Sequence, residues 1–217
     1  MPADEPGRDC PRCPRLVAFR NDNRAAEPAW HNAPVPSFGD DEARLLVVGL
    51  APGLKGANRT GRPFTGDFAG DLLYATLIAT GFARGTYDKR PDDGLRLVDC
   101  AITNAVRCVP PHNKPLPAEI ATCRPYLSAR LVEMPRLAAI VALGRIAHES
   151  VLRALGVKLT AAPFGHGARH ALSRADGTAI TLFDSYHCSR YNTSTRVLTE
   201  AMFNDVFVAV RAHIDAA

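Results

Sequence analysis

Apolar residues gather in four short runs along the chain, with segments of helical period between them. Ala43 to Leu50 (ARLLVVGL) is continuous and ends in Gly-Leu-Ala-Pro-Gly, which predicts a buried parallel strand feeding a functional loop. Leu97 to Ala105, Leu137 to Leu143 and Thr178 to Asp184 read as three more strands. Helical spacing covers Asp71 to Thr80, stopping at Gly81, and Ala118 to Leu131, opening after Pro117. It also covers Gly144 to Leu155 and a closing stretch from Thr195 to Ala216, and Cys13 to Asn21 fits one short helix. Alternating strands and helices predict an α/β fold with a mostly parallel sheet of about four strands. Ligands of such sheets sit at the carboxyl ends of the strands. The loops at those ends run from Gly49 to Gly70, Asn104 to Pro117, Gly144 to Ala147 and Ser185 to Thr195.

Composition narrows the classes. Of 217 residues, 47% are hydrophobic and 22% charged, so a core forms and wholesale disorder is excluded. No apolar run reaches the roughly eighteen residues of a membrane helix, and no basic or apolar leader precedes the first strand. A cytoplasmic protein with no membrane partner is expected. The net charge of +4 is mild, but only Lys55, Lys89, Lys114 and Lys158 are lysines. Arginine forks bind phosphates bidentately, which permits a polyanionic partner. A GC-rich genome would give the same bias, so charge alone decides nothing.

Six cysteines without a secretory signal point to metal or catalysis rather than disulfides. Cys10 and Cys13 form Cys-x2-Cys, and Cys108 and Cys123 form Cys-x14-Cys. Cys100 reads as a small buried hydrophobe within a strand, and Cys188 has no spacing partner. Four thiolates suit tetrahedral zinc or a [4Fe–4S] cluster, and four unligated cysteines are the plain alternative. Pro14 after Cys13 leans towards iron–sulfur.

The strand-end loops hold the unusual polar residues. The first combines close-approach glycines with Lys55, Arg59, Arg62, Phe64 and Asp67, but is neither Gly-x-Gly-x-x-Gly nor a P-loop. The second carries Asn104, Arg107, His112, Asn113 and Lys114; the third carries Arg145; the fourth carries His187, Arg190, Tyr191 and Asn192. Singly, each has a plain reading: Asp67 as a helix cap, Phe64 as core, Asn104 as a turn residue, His187 as a structural histidine. Their conjunction at one end of the sheet favours an enzyme.

GLAPGLKGANRTGRPFTGD, ITNAVRCVPPHNKPLPAE, ALGRIA and SYHCSRYNTSTRVLTEAMF, in that order, resemble the motifs of family 5 (type b) uracil-DNA glycosylases. The resemblance implies a uracil-DNA glycosylase-like three-layer α/β/α sandwich. It implies one domain over 1–217, whose residues 1–40 are tied down by a [4Fe–4S] cluster on Cys10, Cys13, Cys108 and Cys123. It further implies hydrolysis of the N-glycosidic bond of uracil, and of other deaminated bases such as hypoxanthine and xanthine, in DNA. Asp67, His187 and Asn113 are then the catalytic candidates. Phe64 and Asn104 would take the base, with Gly49, Ala51 and Gly53 lining its site. Lys55, Arg59, Arg62, Arg107, Lys114, Arg190, Tyr191 and Asn192 would contact DNA. A monomer, held near the nucleoid by its DNA, is expected. Type b members lack an acid where Ala51 stands, which moves the handling of water to Asp67. Arg196 and Val197 replace the usual Gly-Arg of the last motif. A non-catalytic iron–sulfur DNA-binding protein and a zinc-stabilised nucleotide-binding protein are the rival readings.

Overall fold

The computed structural model describes residues 5–216. The first four residues of the expected N-terminal arm, and the last residue of the chain, lie outside them. In chain order the elements are α1 (Pro14–Ala26), β1 (Phe38–Gly39), β2 (Leu45–Gly49), α2 (Ala57–Thr60), α3 (Phe68–Ala79), β3 (Ala83–Arg84), β4 (Arg96–Leu97) and β5 (Cys100–Asn104). There follow α4 (Pro117–Glu133), β6 (Ala139–Leu143), α5 (Arg145–Ala154), β7 (Arg169–Ser173), β8 (Ala179–Ser185), α6 (Arg190–Ser194) and α7 (Glu200–Asp215).

The main sheet has six strands in the order β1-β5-β2-β6-β8-β7. The four strands read from the sequence are its parallel centre. The two strands not foreseen pair antiparallel at the edges. Both edge strands are weak signals: β1 is two residues long, and β7 (Arg-His-Ala-Leu-Ser) leaves alternate residues exposed. By contrast β2, β5 and β6 are buried at every position, as strands covered on both faces must be.

Alternate residues of the central strands feed two cores. Leu45, Val47, Ile102, Val141 and Phe183 meet Leu73, Leu77, Phe203, Phe207 and Val210 of α3 and α7 on one face. Leu46, Val48, Ala101, Ile140 and Leu182 meet Leu127, Leu131, Val151 and Leu152 of α4 and α5 on the other. This is the expected α/β/α sandwich. A third cluster joins α1 to α4 through Leu16, Val106, Ile120 and Cys123. Among the described residues no helix is long and apolar enough to cross a membrane.

Two expected elements begin later than their sequence suggests. The closing helix, expected from Thr195, starts at Glu200, because Arg196 takes φ 58° and Thr199 caps it by accepting from Met202 N–H at 3.2 Å; the short α6 precedes it within the expected loop. The second strand begins at Cys100, since Asp99 at φ 52° separates it from β4. The first loop also contains the short α2, ended by Gly61 at φ 77°.

Candidate active site

Gly49 ends β2, Asn104 ends β5 beside it in register, and Ser185 ends β8, so three strand ends open on one pocket of about 320 Å3. Phe64, Asp67, Asn104, Asn113 and His187 all line it, with Ala51 and Gly53. A Cβ on Gly49 would fall 2.4 Å from Asn104 Oδ1 and 2.6 Å from the Phe64 ring. The bare backbone at 49 is therefore what lets an amide and an aromatic face share one wall. Asn104 is 2% exposed, and its Oδ1 has no hydrogen-bond partner within the protein. An orphaned buried acceptor costs about 1–3 kcal/mol, so a donor brought by a ligand would be welcome there.

Phe64 holds φ 52°, a left-handed conformation that a bulky residue adopts only when its surroundings impose it. Tyr87 donates its hydroxyl to Phe64 O at 3.1 Å, and α3 presses against the same carbonyl at Gly70. The ring lies 6.1 Å from that of His187, tilted by 32°.

Asp67 caps α3, accepting from Gly70 N–H at 3.2 Å. Its carboxylate rests against bare glycines: a Cβ would come 2.8 Å from Oδ2 at Gly53 and 2.3 Å at Gly56. Burial pushes its pKa up, against the pull of the Gly70 and Ala69 N–H groups. Burial pushes the pKa of His187 down, so the imidazole is neutral at pH 7. Asn192 donates its side-chain amide to His187 O at 2.8 Å. His166 accepts Tyr186 N–H at 3.1 Å and stacks on the Tyr186 ring. Behind them Asp184 is fastened to His148 (2.7 Å), His170 (3.0 Å) and Gly165 N–H (3.3 Å). The His187 turn is thus braced from both sides.

Asn113 ends a single 3-10 turn, Pro111–Asn113, and it and His112 hold φ of 57° and 55°. Ser189 also lines the pocket and caps α6 through Asn192 N–H. It was missed in the sequence, although Ser-x-x-Asn after a strand end is a cap pattern.

Of the expected DNA contacts, Lys55, Arg59, Lys114, Arg190 and Tyr191 are exposed, Tyr191 by 74%. Asn192 is half-buried and spends its amide on His187. Two expectations are corrected. Arg62 is buried, forked onto Asp93 at 2.7 and 2.8 Å and surrounded by Phe38, Tyr74 and Tyr87. Arg107 is 1% exposed and bonds Ser37 (2.9 Å) and Glu5 (3.0 Å). A guanidinium already paired in the interior cannot reach a phosphate.

Cys10, Cys13, Cys108 and Cys123 line one small cavity of about 20 Å3 with Leu16, Val106 and Tyr126. Cys123 Sγ accepts Arg107 N–H at 3.4 Å. Burial raises the thiol pKa of Cys13 and Cys123, and pushes Cys108 up to about 12. Thiolates here need a compensating cationic centre. Among the described residues no three of these sulfurs lie within 4.8 Å of one another. Tetrahedral zinc at ~2.3 Å per bond holds its sulfurs about 3.8 Å apart, closer than any three of these stand together. Cys100 and Cys188 are buried elsewhere, Cys188 donating to Ala69 O at 3.4 Å.

A model of the uracil DNA glycosylase superfamily matches residues 36–211, which span every strand of the sheet and the whole pocket. The type-5 uracil-DNA glycosylase of Thermus thermophilus is 46% identical over 208 residues, 93% of this chain and 92% of that protein. That of Pyrobaculum aerophilum is 40% identical over 195 residues, 88% and 83% of the two chains. A type-4 uracil-DNA glycosylase of Archaeoglobus fulgidus is 32% identical over 154 residues, 70% and 69% of the two. Fold, pocket and sequence agree, and the chain belongs to the uracil-DNA glycosylase superfamily, among its type-5 members.

Proposed function

We propose that this pocket receives a uracil flipped out of DNA and hydrolyses its N-glycosidic bond, leaving an abasic site. The reading rests above all on Asn104 Oδ1, a buried acceptor without a partner beside the Phe64 ring. A base that stacks on Phe64 and offers an imide N–H satisfies both groups. As the bond from C1′ to the base breaks, its electron pair leaves with the base and the sugar becomes oxocarbenium-like. His187, neutral and desolvated, donates an N–H to the developing anion. Asp67 accepts a proton from the water that attacks C1′, a role that its burial-raised pKa favours. Asn113, at the rim, offers its amide to the base edge. Hypoxanthine and xanthine are included because 320 Å3 exceeds what a one-ring base requires, and Ala51 adds no bulk.

Lys55, Arg59, Lys114 and Arg190 are assigned to phosphates, and Tyr191 to the gap that the base leaves. Cys10, Cys13, Cys108 and Cys123 are assigned to a [4Fe–4S] cluster, whose part is to fix the N-terminal arm on α4. The test is single-turnover base release from duplexes carrying uracil, hypoxanthine or xanthine. An electrostatic donor of this type is worth about 3–4 kcal/mol, so His187→Ala and Asp67→Ala should slow cleavage about 100–1,000-fold. Both should bind a non-cleavable analogue as the wild type does. Wild-type cleavage by His187→Ala would overturn the mechanism.

A further inference from the structure

The loop that presents Asn113 is poorly equipped to hold itself. Pro110, Pro111, Pro115 and Pro117 offer no backbone N–H. Its internal bonds run from Asn113 N–H to Pro110 O and from Lys114 N–H to Pro111 O, each 3.1 Å. Yet two consecutive residues, His112 and Asn113, stay in the left-handed region, which both types visit singly but seldom in succession. Something outside the loop must hold the turn.

Arg15 reaches it from α1. Its Nε donates to Glu119 Oε1 at 2.8 Å and its Nη2 to Glu119 Oε2 at 2.7 Å. The same Nη2 donates to Lys114 O at 3.1 Å. Glu119 Oε2 in turn accepts Leu116 N–H at 2.7 Å. One guanidinium therefore closes a ring around Lys114, Pro115 and Leu116, immediately after Asn113. Arg15 follows Cys13 by two residues, and its helix is docked by Leu16 on Val106, Ile120 and Cys123. The cysteine-bearing arm thus reaches the segment that directly follows Asn113 through the Arg15 side chain.

We propose that Arg15 is a positioning residue for Asn113: its fork on Glu119 and the Lys114 carbonyl fixes the His112–Asn113 turn at the pocket rim. The proposal rests on the reading of Asn113 as a base-contacting residue. A partly exposed ion pair adds little to global stability, so an effect on rate without an effect on melting separates positioning from mere support.

The experiment is a double-mutant cycle on uracil-containing duplex with Arg15→Ala, Asn113→Ala and the double variant. Small misplacements of a contacting group carry large rate penalties, and Arg15→Ala is expected to slow single-turnover cleavage about 10-fold. Its melting temperature and visible absorption should match the wild type. In the Asn113→Ala background the same change should cost less than 2-fold, whereas Arg15→Lys, which keeps one contact, should recover part of the rate. Amide exchange at Asn113 and Lys114 should quicken in Arg15→Ala. An equal loss of rate in both backgrounds, or unchanged exchange, overturns the proposal. If Asn113→Ala cleaves as wild type does, the reading of Asn113 fails; faster exchange in Arg15→Ala then still upholds the clamp, and unchanged exchange sinks it. Should Arg15→Ala lose its visible absorption, Glu119→Gln keeps Arg15 in place, breaks the charged fork and is read by the same exchange.

Discussion

A methyl group at Gly56 should disable the carboxylate without touching the substrate. An ideal Cβ there would lie 2.3 Å from Asp67 Oδ2, 2.7 Å from Cγ and 2.9 Å from Cβ. Ordinary van der Waals contact begins near 3.4 Å, and 3.4 Å against 2.3 Å leaves a deficit of about 1.1 Å. Swinging Oδ2 alone does not relieve it, because the Asp67 Cβ is also too close and is anchored at the first turn of α3. The carboxylate must move by on the order of 1 Å, a displacement that can cost about 100-fold in rate. Gly56→Ala should therefore show single-turnover cleavage about 100-fold below wild type, approaching Asp67→Ala, while the affinity for a non-cleavable uracil duplex changes by less than about 3-fold. The pH profile gives an independent sign. Burial raises the pKa of Asp67, so a carboxylate pushed towards water titrates lower, and the acid limb of the rate should move to lower pH. Cleavage by Gly56→Ala within about 3-fold of wild type, with an unmoved acid limb, would mean that the seat of Asp67 is not set by these glycines.

The buried and exposed arginines should part company. Arg59→Ala should lower the log–log salt slope of DNA binding by about one unit, whereas Arg62→Ala should leave the slope alone and destabilise the fold by about 3–5 kcal/mol, read by denaturant melts. Hydrogen bonds from Arg62 hold the Asp93 carboxyl below the usual range, so that pair's contribution is complete above about pH 4 and lost as pH falls further; it should vanish from the acid-unfolding difference in Arg62→Ala. Cys108→Ala should abolish bound iron and Cys100→Ala should not, and the opposite pattern would dismiss the four-cysteine assignment.

Much of this molecule could be read from its residues, and the misreadings share a cause. The central strands announce themselves because they are buried on both faces, as in Leu45–Gly49 and Ala139–Leu143. The edges do not: Arg169–Ser173 has one solvated face and no run of large apolar residues. That Phe64, Asp67, Asn104 and His187 share one pocket was legible, since topology alone gathers the strand ends whose loops carry them. The arginines were not. Arg62 finds Asp93 31 residues away, and Arg107 finds Ser37 70 residues away, so nothing local separates them from the solvated Arg59. Nor could spacing reveal that Asn192 serves His187 from within its own turn, or that Arg15 reaches Lys114 across 99 positions.

Gly70 carries a consequence for anyone engineering this enzyme. It stands inside α3, where exchanging glycine for alanine ordinarily gains about 1 kcal/mol of helix stability. Here an added Cβ would fall 1.8 Å from Phe64 O and 2.9 Å from Phe64 C. Both are backbone atoms of the residue whose ring forms a pocket wall, and neither can rotate away. The routine route to a hardier helix therefore leads straight into the base platform. A directed-evolution screen scored on heat resistance alone should leave this position untouched.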